Sequence, residues 1–313
     1  MRAKADVRLK EFWRSNERFA DLVNAVVFEG EQVLKAQDLQ EMDADTSGMV
    51  QIRDREIALN RMRDVVKKAA FGVEFAVFGV EAQMTVHYAM PLRTLLYDGL
   101  GYLKEYQQLA DLHRGDARAM TQDEFLSRMR REDRLHPIVT IVMYYSEKSW
   151  DGPFCLRDMM VEMPEKIEKI FSDYRMNLVQ IRESDRYQFH NEDVKTVFEI
   201  AREIYRGNFE GIRNKYGETL LSSELLAVIG AITDSEELIS QAKEGEVQSM
   251  CTALENLKRE GIQEGLQQGI QEGLQQKTQE IVCKLLKKGY SVEEIAVLLD
   301  MPQDVVKEAC IHS

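Results

Sequence analysis

Long apolar runs are missing from this sequence. No segment approaches the run of about 18 apolar residues that a membrane-spanning helix needs, and the longest apolar stretches, 138–145 and 225–232, have the length of core elements. The first residues, MRAKADVRLKEFW, are charged throughout and include no apolar stretch typical of a secretory signal. We therefore expect a cytoplasmic protein without a membrane segment.

Paired cysteines are also missing. The four cysteines are scattered through the chain, with no CxxC pair and no histidine at zinc-ligand spacing: Cys155, Cys251, Cys283 and Cys310. The five histidines form no cluster in the sequence either. We expect four reduced thiols and no structural zinc site.

An overall positive charge, which nucleic-acid binders usually carry, is absent as well. The formal net charge is −13, so the protein as a whole would repel DNA at long range. One segment differs, because 53–68 holds six basic residues against three acidic ones. This local excess is compatible with phosphate binding, although an ordinary solvated surface has the same composition.

Hydrophobic periodicity predicts a compact α/β domain over residues 1–155. Apolar residues recur at helical spacing over 5–27 and over 90–112, where Pro91 opens the second helix. Between them the pattern indicates mostly loop over 31–54, a strand near 61–69, and a strand in VEFAVFGVEAQMTV that is apolar on both faces. The segment HPIVTIVMYYS predicts a further buried strand.

Strand signal is weak after residue 155, and helical patterns predict a helical segment over 156–245. Residues 246–276 then contain four glycines, each followed by Ile or Leu: Gly261, Gly265, Gly269 and Gly273. This spacing keeps the apolar residues on one slowly drifting helical stripe. Each glycine costs a helix about 0.5–1 kcal/mol relative to alanine. We expect either close helix–helix packing in a homo-oligomer or a semi-flexible linker, and the sequence favours neither.

The last segment, 277–313, predicts three short helices. A helix ends at Gly289, a second begins at Ser291 with Glu294 at capping-box spacing, and a third begins near Pro302. The arrangement resembles a helix-turn-helix unit. Its third helix carries only Lys307 as a basic residue, whereas recognition helices usually bring Arg, Lys, Asn or Gln to the groove. A protein-binding bundle is therefore expected rather than a DNA reader.

Two polar residues interrupt the apolar strand at VEFAVFGVEAQMTV. Glu81 and Gln83 are two positions apart, so both side chains point to one face. Asp64, in RMRDVV, precedes them by the length of a hairpin. Phosphodiester hydrolysis needs a divalent ion, and magnesium prefers one or two carboxylates together with water. The sequence therefore predicts a magnesium site formed by Asp64, Glu81 and the carbonyl of Ala82.

The segments RMRDVV, GVEAQMTVHYAMPLRTLLYDGLGYL and HPIVTIVMYYSEKSW resemble the Rpn family of recombination-promoting nucleases, also described as transposase-like proteins. That family is similar to the wider PD-(D/E)XK nuclease superfamily. The resemblance extends over most of 1–155, and the glycine repeat and GYSVEEIA resemble the C-terminal segments of many relatives. It implies a restriction-endonuclease-like α/β core, with a central mixed sheet flanked by helices, followed by an all-α extension.

The resemblance also implies residue roles. Asp64 matches the motif aspartate, and Glu81 and Gln83 match an E-x-Q that replaces (D/E)-x-K. The implied activity is Mg²⁺-dependent cleavage of DNA with little sequence preference, with Mn²⁺ as a substitute metal and a link to recombination or mobile elements.

The motif departs from the family pattern at one position. Gln83 cannot take a proton as the usual lysine could; it can only orient water. Metal-bound hydroxide must then contribute more to the attack on the phosphate, or Lys67 or Lys68 on the neighbouring strand must take the place of the missing lysine. Both residues are also candidates to bind substrate. Activity is accordingly expected to be slow or lost.

Several of these residues have alternative explanations. A buried Glu81 needs a partner, and a structural ion pair with Arg93 would supply one instead of a metal. Arg93 itself is a candidate to bind substrate phosphate. Asp21 and Glu17, on the first helix, would complete the metal shell or lie on the surface.

We expect four segments: a nuclease-like core over 1–155, a helical segment over 156–245, the glycine-punctuated helix over 246–276, and the tail over 277–313. The expected function is an endonuclease that forms homo-oligomers through its C-terminal helices. Two other functions stay open, namely a catalytically degenerate interaction protein and a DNA-binding regulator that uses the tail.

Overall fold

The computed structural model describes residues 2–41, 48–52, 55–59, 65–71, 74–115, 120–243 and 248–303. The chain divides into two compact units, Met1–Cys251 and Thr252–Ser313. The strands are β1 (Leu39–Glu41), β2 (Gly48–Ile52), β3 (Arg55–Leu59), β4 (Val65–Phe71), β5 (Glu74–Gln83), β6 (Ile138–Tyr144), β7 (Asn177–Gln180), β8 (Leu220–Leu221) and β9 (Gln248–Ser249).

The helices of the first unit lie before, between and after these strands. They are α1 (Arg2–Arg14), α2 (Asn16–Val27), α3 (Met90–Leu112), α4 (Gln122–Ser127), α5 (Glu165–Glu168), α6 (Glu192–Tyr205), α7 (Phe209–Tyr216), α8 (Ser223–Thr233) and α9 (Glu236–Lys243). Two more, α10 (Met250–Lys287) and α11 (Val292–Leu298), follow toward the C-terminus.

The central sheet has five strands in the order β1–β4–β5–β6–β7. β1 and β5 both run antiparallel to β4, and β6 runs parallel to both β5 and β7. The fold is therefore α/β with a mixed sheet, as the sequence predicts.

Helices cover both faces of this sheet, which explains why β5 is apolar on both faces. On one face, α1 contacts β4 and β5, and Phe78 and Val80 are buried. On the other face α3 contacts β6, and Arg93 of α3 reaches Glu81 of β5. The predicted bounds of α3, 90–112, are confirmed, with Pro91 in its first turn.

The single helix predicted over 5–27 is two helices. Ser15 interrupts them, because its hydroxyl accepts a hydrogen bond from Arg18 N and caps α2. The apolar stripe continues across the break, since Phe12 and Trp13 of α1 and Phe19 of α2 are all buried. Periodicity alone therefore does not separate them.

The sheet extends past residue 155, which corrects the predicted end of the α/β core. β7 pairs with β6, and both α6 and α1 contact α8 in the same unit. The sequence pattern does not indicate β7, because the strand has only four residues, of which Val179 alone is fully buried. The helices predicted at 194–205 and 222–232 are confirmed as α6 and α8.

Strands also occur in the segment predicted as mostly loop. β1 lies within 31–54, and β2 and β3 form an antiparallel hairpin that begins there. The strand predicted near 61–69 is β4, which the structure describes from Val65 onward. Each of β1, β2 and β3 has only three to five residues, so they show little of the apolar alternation on which the prediction depended.

The second unit contains most of α10 and the short helix α11. Gly289 has φ +93°, a left-handed conformation that suits glycine, and it follows the end of α10. The capping box of Ser291 and Glu294 is confirmed. A small core of Val282, Ile295 and Ala296 joins the two helices. The third predicted helix lies beyond the described residues, which end at 303.

From Met250 onward the glycine-punctuated segment is helical, as part of α10, and β9 lies just before this helix. Across the part of the chain that the structure describes, this and every other helix is too short or too polar to span a lipid bilayer.

Candidate functional site

Glu81 and Gln83 lie side by side near the C-terminal end of β5. The Nε2 of Gln83 donates a hydrogen bond to Oε1 of Glu81 at 3.3 Å. β5 is an interior strand of the sheet, and the backbone carbonyl of Gln83 accepts a hydrogen bond from Tyr145 N at 2.8 Å. The predicted neighbouring pair of polar side chains is confirmed.

The predicted partner Asp64 lies outside the described residues. The antiparallel pairing of β4 with β5 is described as far as Val65 and Val80. These two residues adjoin Asp64 and Glu81 in the sequence. Ala82, the predicted third ligand, lies between Glu81 and Gln83 and is the partner of Met143 in the parallel register with β6.

Glu81 forms a buried ion pair with Arg93. Glu81 is only 3% exposed, and Nη2 of Arg93 lies 2.6 Å from its Oε1. The same guanidinium nitrogen lies 2.8 Å from the hydroxyl of Tyr97, and the guanidinium carbon is 5.6 Å from the centre of the Tyr97 ring. The ion pair that sequence analysis offered as an alternative to metal binding is therefore present.

The start of α3 brings Arg93 to this position. Ala89 precedes the helix and donates its N–H to Nδ1 of His87 at 3.3 Å. Burial, together with the positive charge of Arg93, lowers the pKa of His87. The sequence suggests no role for His87, but its lowered pKa marks it as a residue of this site.

Lys67 occupies a different place from the one predicted. It pairs with Phe78, and strand alternation places Phe78 and Glu81 on opposite faces of β5. The ammonium is fully buried and donates to Arg14 O at 2.5 Å and Asn16 Oδ1 at 2.6 Å. The substrate-binding role predicted for Lys67 does not agree with this placement, because a fully buried ammonium is out of reach of a phosphate.

Burial lowers the pKa of Lys67, although the charges of Glu41 and Glu17 raise it. Its Nζ also lies 5.1 Å from the centre of the Phe19 ring. Lys68, the other candidate, pairs with Val77 in the backbone register, and its side chain is outside what the structure describes.

Asp21 and Glu17 belong to α2, which packs on the Lys67 face of the sheet. Asp21 is buried, and its Oδ1 accepts a hydrogen bond from His190 N at 2.8 Å. Burial raises its pKa, against the lowering effect of that hydrogen bond. The structure thus puts Asp21 at the segment before α6 and not beside Glu81, so neither acidic residue of α2 completes the predicted site.

A further buried carboxylate, Asp98 of α3, was not predicted. Asp98 accepts hydrogen bonds from Thr140 Oγ1 at 2.7 Å and from the hydroxyl of Tyr174 at 2.5 Å. These contacts tie α3 to β6 and to the chain before β7. The sequence signal that could have indicated this carboxylate is the position of Asp98 between Tyr97 and Leu100 in the predicted helix. Both of these residues are buried.

A cleft of about 340 Å³ opens beyond the C-terminal ends of β5 and β6. Its lining includes Thr85 and Ser146 from the strand ends, and Ala5, Tyr205 and Ile232 from the helices on the Lys67 face. Ligands of open α/β sheets commonly bind beyond the carboxyl ends of strands. Its lining does not include Glu81 or Gln83, so the cleft and the predicted site are separate features.

Within the described ranges, no group of three or more His, Cys, Asp or Glu residues is arranged to hold a metal ion. Since Asp64 lies outside those ranges, the predicted Asp64–Glu81 site stays a prediction. No family model matches this chain, and neither a curated protein nor a solved structure matches it significantly.

Proposed function

We propose that the protein is a Mg²⁺-dependent DNA endonuclease with a restriction-endonuclease-like core. The observation that carries the proposal is Glu81, a carboxylate buried near the end of an interior strand, beside Gln83 and an arginine. Buried carboxylates with charged partners are enriched at functional sites. The mixed sheet between two helical layers supports the proposed core, because the resemblance to the Rpn nucleases implies the same architecture.

The oxygen donors suit magnesium, which prefers carboxylates and carbonyls together with water. In the proposed site, Asp64, Glu81 and the carbonyl of Ala82 hold the ion. When bound, Mg²⁺ would lower the pKa of water and neutralise charge on the phosphate. Gln83 orients the attacking water by hydrogen bonding but accepts no proton.

Arg93 is the proposed phosphate contact. Its side chain is 26% exposed, although one nitrogen is held by Glu81. A guanidinium has five N–H donors in a rigid plane, so Arg93 can hold Glu81 with one nitrogen and offer others to a phosphate oxygen. In this role Arg93 orients Glu81. Its positive charge also reduces the local repulsion between DNA and a protein whose net charge is −13.

The same ion pair favours a second candidate function. If Arg93 permanently neutralises Glu81, the site needs no metal, and the protein is a degenerate nuclease that acts by binding other proteins. Gln83 in place of the usual lysine also supports this candidate. The two functions differ in whether Mg²⁺ binds.

Nicking of supercoiled plasmid in Mg²⁺ tests the proposal. We expect the unsubstituted chain to convert the plasmid, and Asp64→Ala and Glu81→Gln each to lower the rate at least about 100-fold, as loss of a ligand or a charge at a metal site does. Glu17→Gln, on the opposite side of the sheet, is the matched control and should keep full activity. Equal activity in all four proteins would indicate a contaminating nuclease and refute the assignment.

Calorimetric titration with Mg²⁺ distinguishes the two functions if the purified protein shows no nicking. If the protein is a nuclease, we expect Mg²⁺ binding that disappears in Asp64→Ala and in Glu81→Gln. Absence of binding by the unsubstituted chain, together with no nicking in Mg²⁺ or Mn²⁺, would establish the degenerate protein instead.

A further inference from the structure

The glycine-punctuated part of α10 is an exact repeat. The octapeptide GIQEGLQQ occurs twice in succession, at 261–268 and at 269–276. Residues four positions apart in an α-helix differ by about 40° around the axis. The repeat therefore forms four slowly winding columns along the helix. In order around the axis they hold glycine, Ile or Leu, glutamine, and a mixture of glutamate and glutamine.

The Ile/Leu column is exposed along its whole length. Ile262, Leu266, Ile270 and Leu274 are 63%, 65%, 56% and 64% exposed. They span about 18 Å of helix at 1.5 Å per residue. The adjacent glycine column is open, because a Cβ added at Gly265, Gly269 or Gly273 would meet nothing within 4 Å. A contiguous exposed apolar stripe of this kind marks an interaction surface.

We propose that this face of α10 binds the same face of α10 in a second copy of the chain, as a parallel pair related by a two-fold axis along the helices. A two-fold interface requires a self-complementary surface, and the order of the columns provides one. The inference does not depend on nuclease activity.

The order of the columns favours the parallel arrangement. With a two-fold axis along the helices, the Ile/Leu edge of one helix faces the glycine edge of its partner. Each large side chain then fills the space that the missing Cβ atoms leave. In an antiparallel pair the like edges face each other, so glycine meets glycine and the two rows of large side chains compete for the same space.

The spacing of four also determines how the helices cross. When ridges formed by residues four apart pack into each other, helices cross at about 50°. Small residues at every fourth position permit close approach of the backbones, as in small-xxx-small helix pairs. The contact is then confined to a few central turns, which matches the length of the repeat.

Sedimentation equilibrium of the full-length chain tests the pair. We expect a dimer mass for the parent, and at least a tenfold higher dissociation constant for Leu266→Ser/Ile270→Ser. Gln267→Ser/Gln271→Ser makes the same chemical change at neighbouring positions on the glutamine column and should keep the parent's mass. A monomeric parent at micromolar concentration, or equal dissociation constants for both double variants, would overturn the proposal.

Gly265→Leu/Gly269→Leu separates close packing from general apolar association. Leucine favours the helix and adds apolar surface, so helix content measured by circular dichroism should not fall. Because the new side chains keep the backbones apart, we expect the dissociation constant to rise at least tenfold. Tighter association of this variant would refute the proposed contact.

Disulfide formation reports the direction of the pair. In a parallel pair, identical residues lie at one level, so Leu266→Cys and Ile270→Cys should each form a disulfide between copies under mild oxidation, above the background of the parent chain. In an antiparallel pair, at most one of these positions lies beside the same residue of the other copy. Cross-linking of both supports the proposal, and cross-linking of one or neither contradicts it.

Discussion

Replacing Arg93 by Met tests how much the ion pair with Glu81 stabilises the first unit. Methionine keeps an unbranched apolar side chain and removes the guanidinium. Removing one partner of a buried ion pair typically lowers the free energy of unfolding by about 3–5 kcal/mol. The Glu81 side chain is 4% exposed but that of Arg93 is 26% exposed. Water therefore weakens the interaction, and we expect a loss of about 2–3 kcal/mol.

Urea unfolding followed by tryptophan fluorescence measures this loss in the correct unit. The chain has two tryptophans, Trp13 and Trp150, and both are buried in the first unit. Arg186→Met is the matched control, because Arg186 contacts Glu183 at an exposed site, with its side chain 69% exposed. Surface pairs of this kind contribute about 0–1 kcal/mol.

A double variant checks the cause of the effect. Glu81→Met/Arg93→Met removes both desolvated charges, so its stability should return to within about 1 kcal/mol of the parent, as for other buried pairs replaced by apolar residues. A loss below about 0.5 kcal/mol in Arg93→Met, which is typical of neutral surface substitutions, would refute the view that this contact stabilises the fold.

Three further predictions concern stability. Burial raises the pKa of Asp21 above its usual value of 3.8. The folded state therefore binds more protons there than the unfolded state, and the protein loses stability as pH rises from 3.8 through the raised pKa. Asp21→Asn should be more stable than the parent in urea at pH 7, and this difference in stability should vanish below pH 3.8. Tyr145→Phe removes the oxygen that accepts from Trp13 Nε1 at 2.7 Å and should lower stability by about 1–3 kcal/mol, whereas a neutral effect would contradict a direct buried hydrogen bond. Ser291→Ala removes the cap of α11 and should lower stability of the second unit by about 1 kcal/mol, seen as faster amide hydrogen exchange in α11 and unchanged exchange in α3.

Elements with a strong local pattern were predictable. The bounds of α3 agree with its apolar spacing and with Pro91, and the capping box of α11 is evident from Ser291 and Glu294 alone. The two helices at the N-terminus were not separated, because one apolar stripe continues across Ser15. β7 was missed for the opposite reason, since four residues are too few to show a period.

The candidate site was predictable only in part. Strand alternation places Glu81 and Gln83 on one face wherever β5 lies, and the structure confirms that they adjoin. Lys67 was assigned to the wrong side. Alternation within the predicted strand near 61–69 already puts Lys67 on the face opposite to Asp64, three positions away. The register of β4 with β5 then shows that Lys67 pairs with Phe78 and lies away from Glu81.

The sequence by itself determined the local features of this protein: the two-sided apolar strand β5, the polar pair at its end, the cap of α11, and the four-residue repeat of α10. These depend on interactions among residues a few positions apart. Only the tertiary structure decided that Arg93 holds Glu81, that Lys67 is buried against α2, and that β7 completes the sheet. Those contacts join residues 12 to more than 50 positions apart, and the burial that stabilises them exists only once the chain has folded.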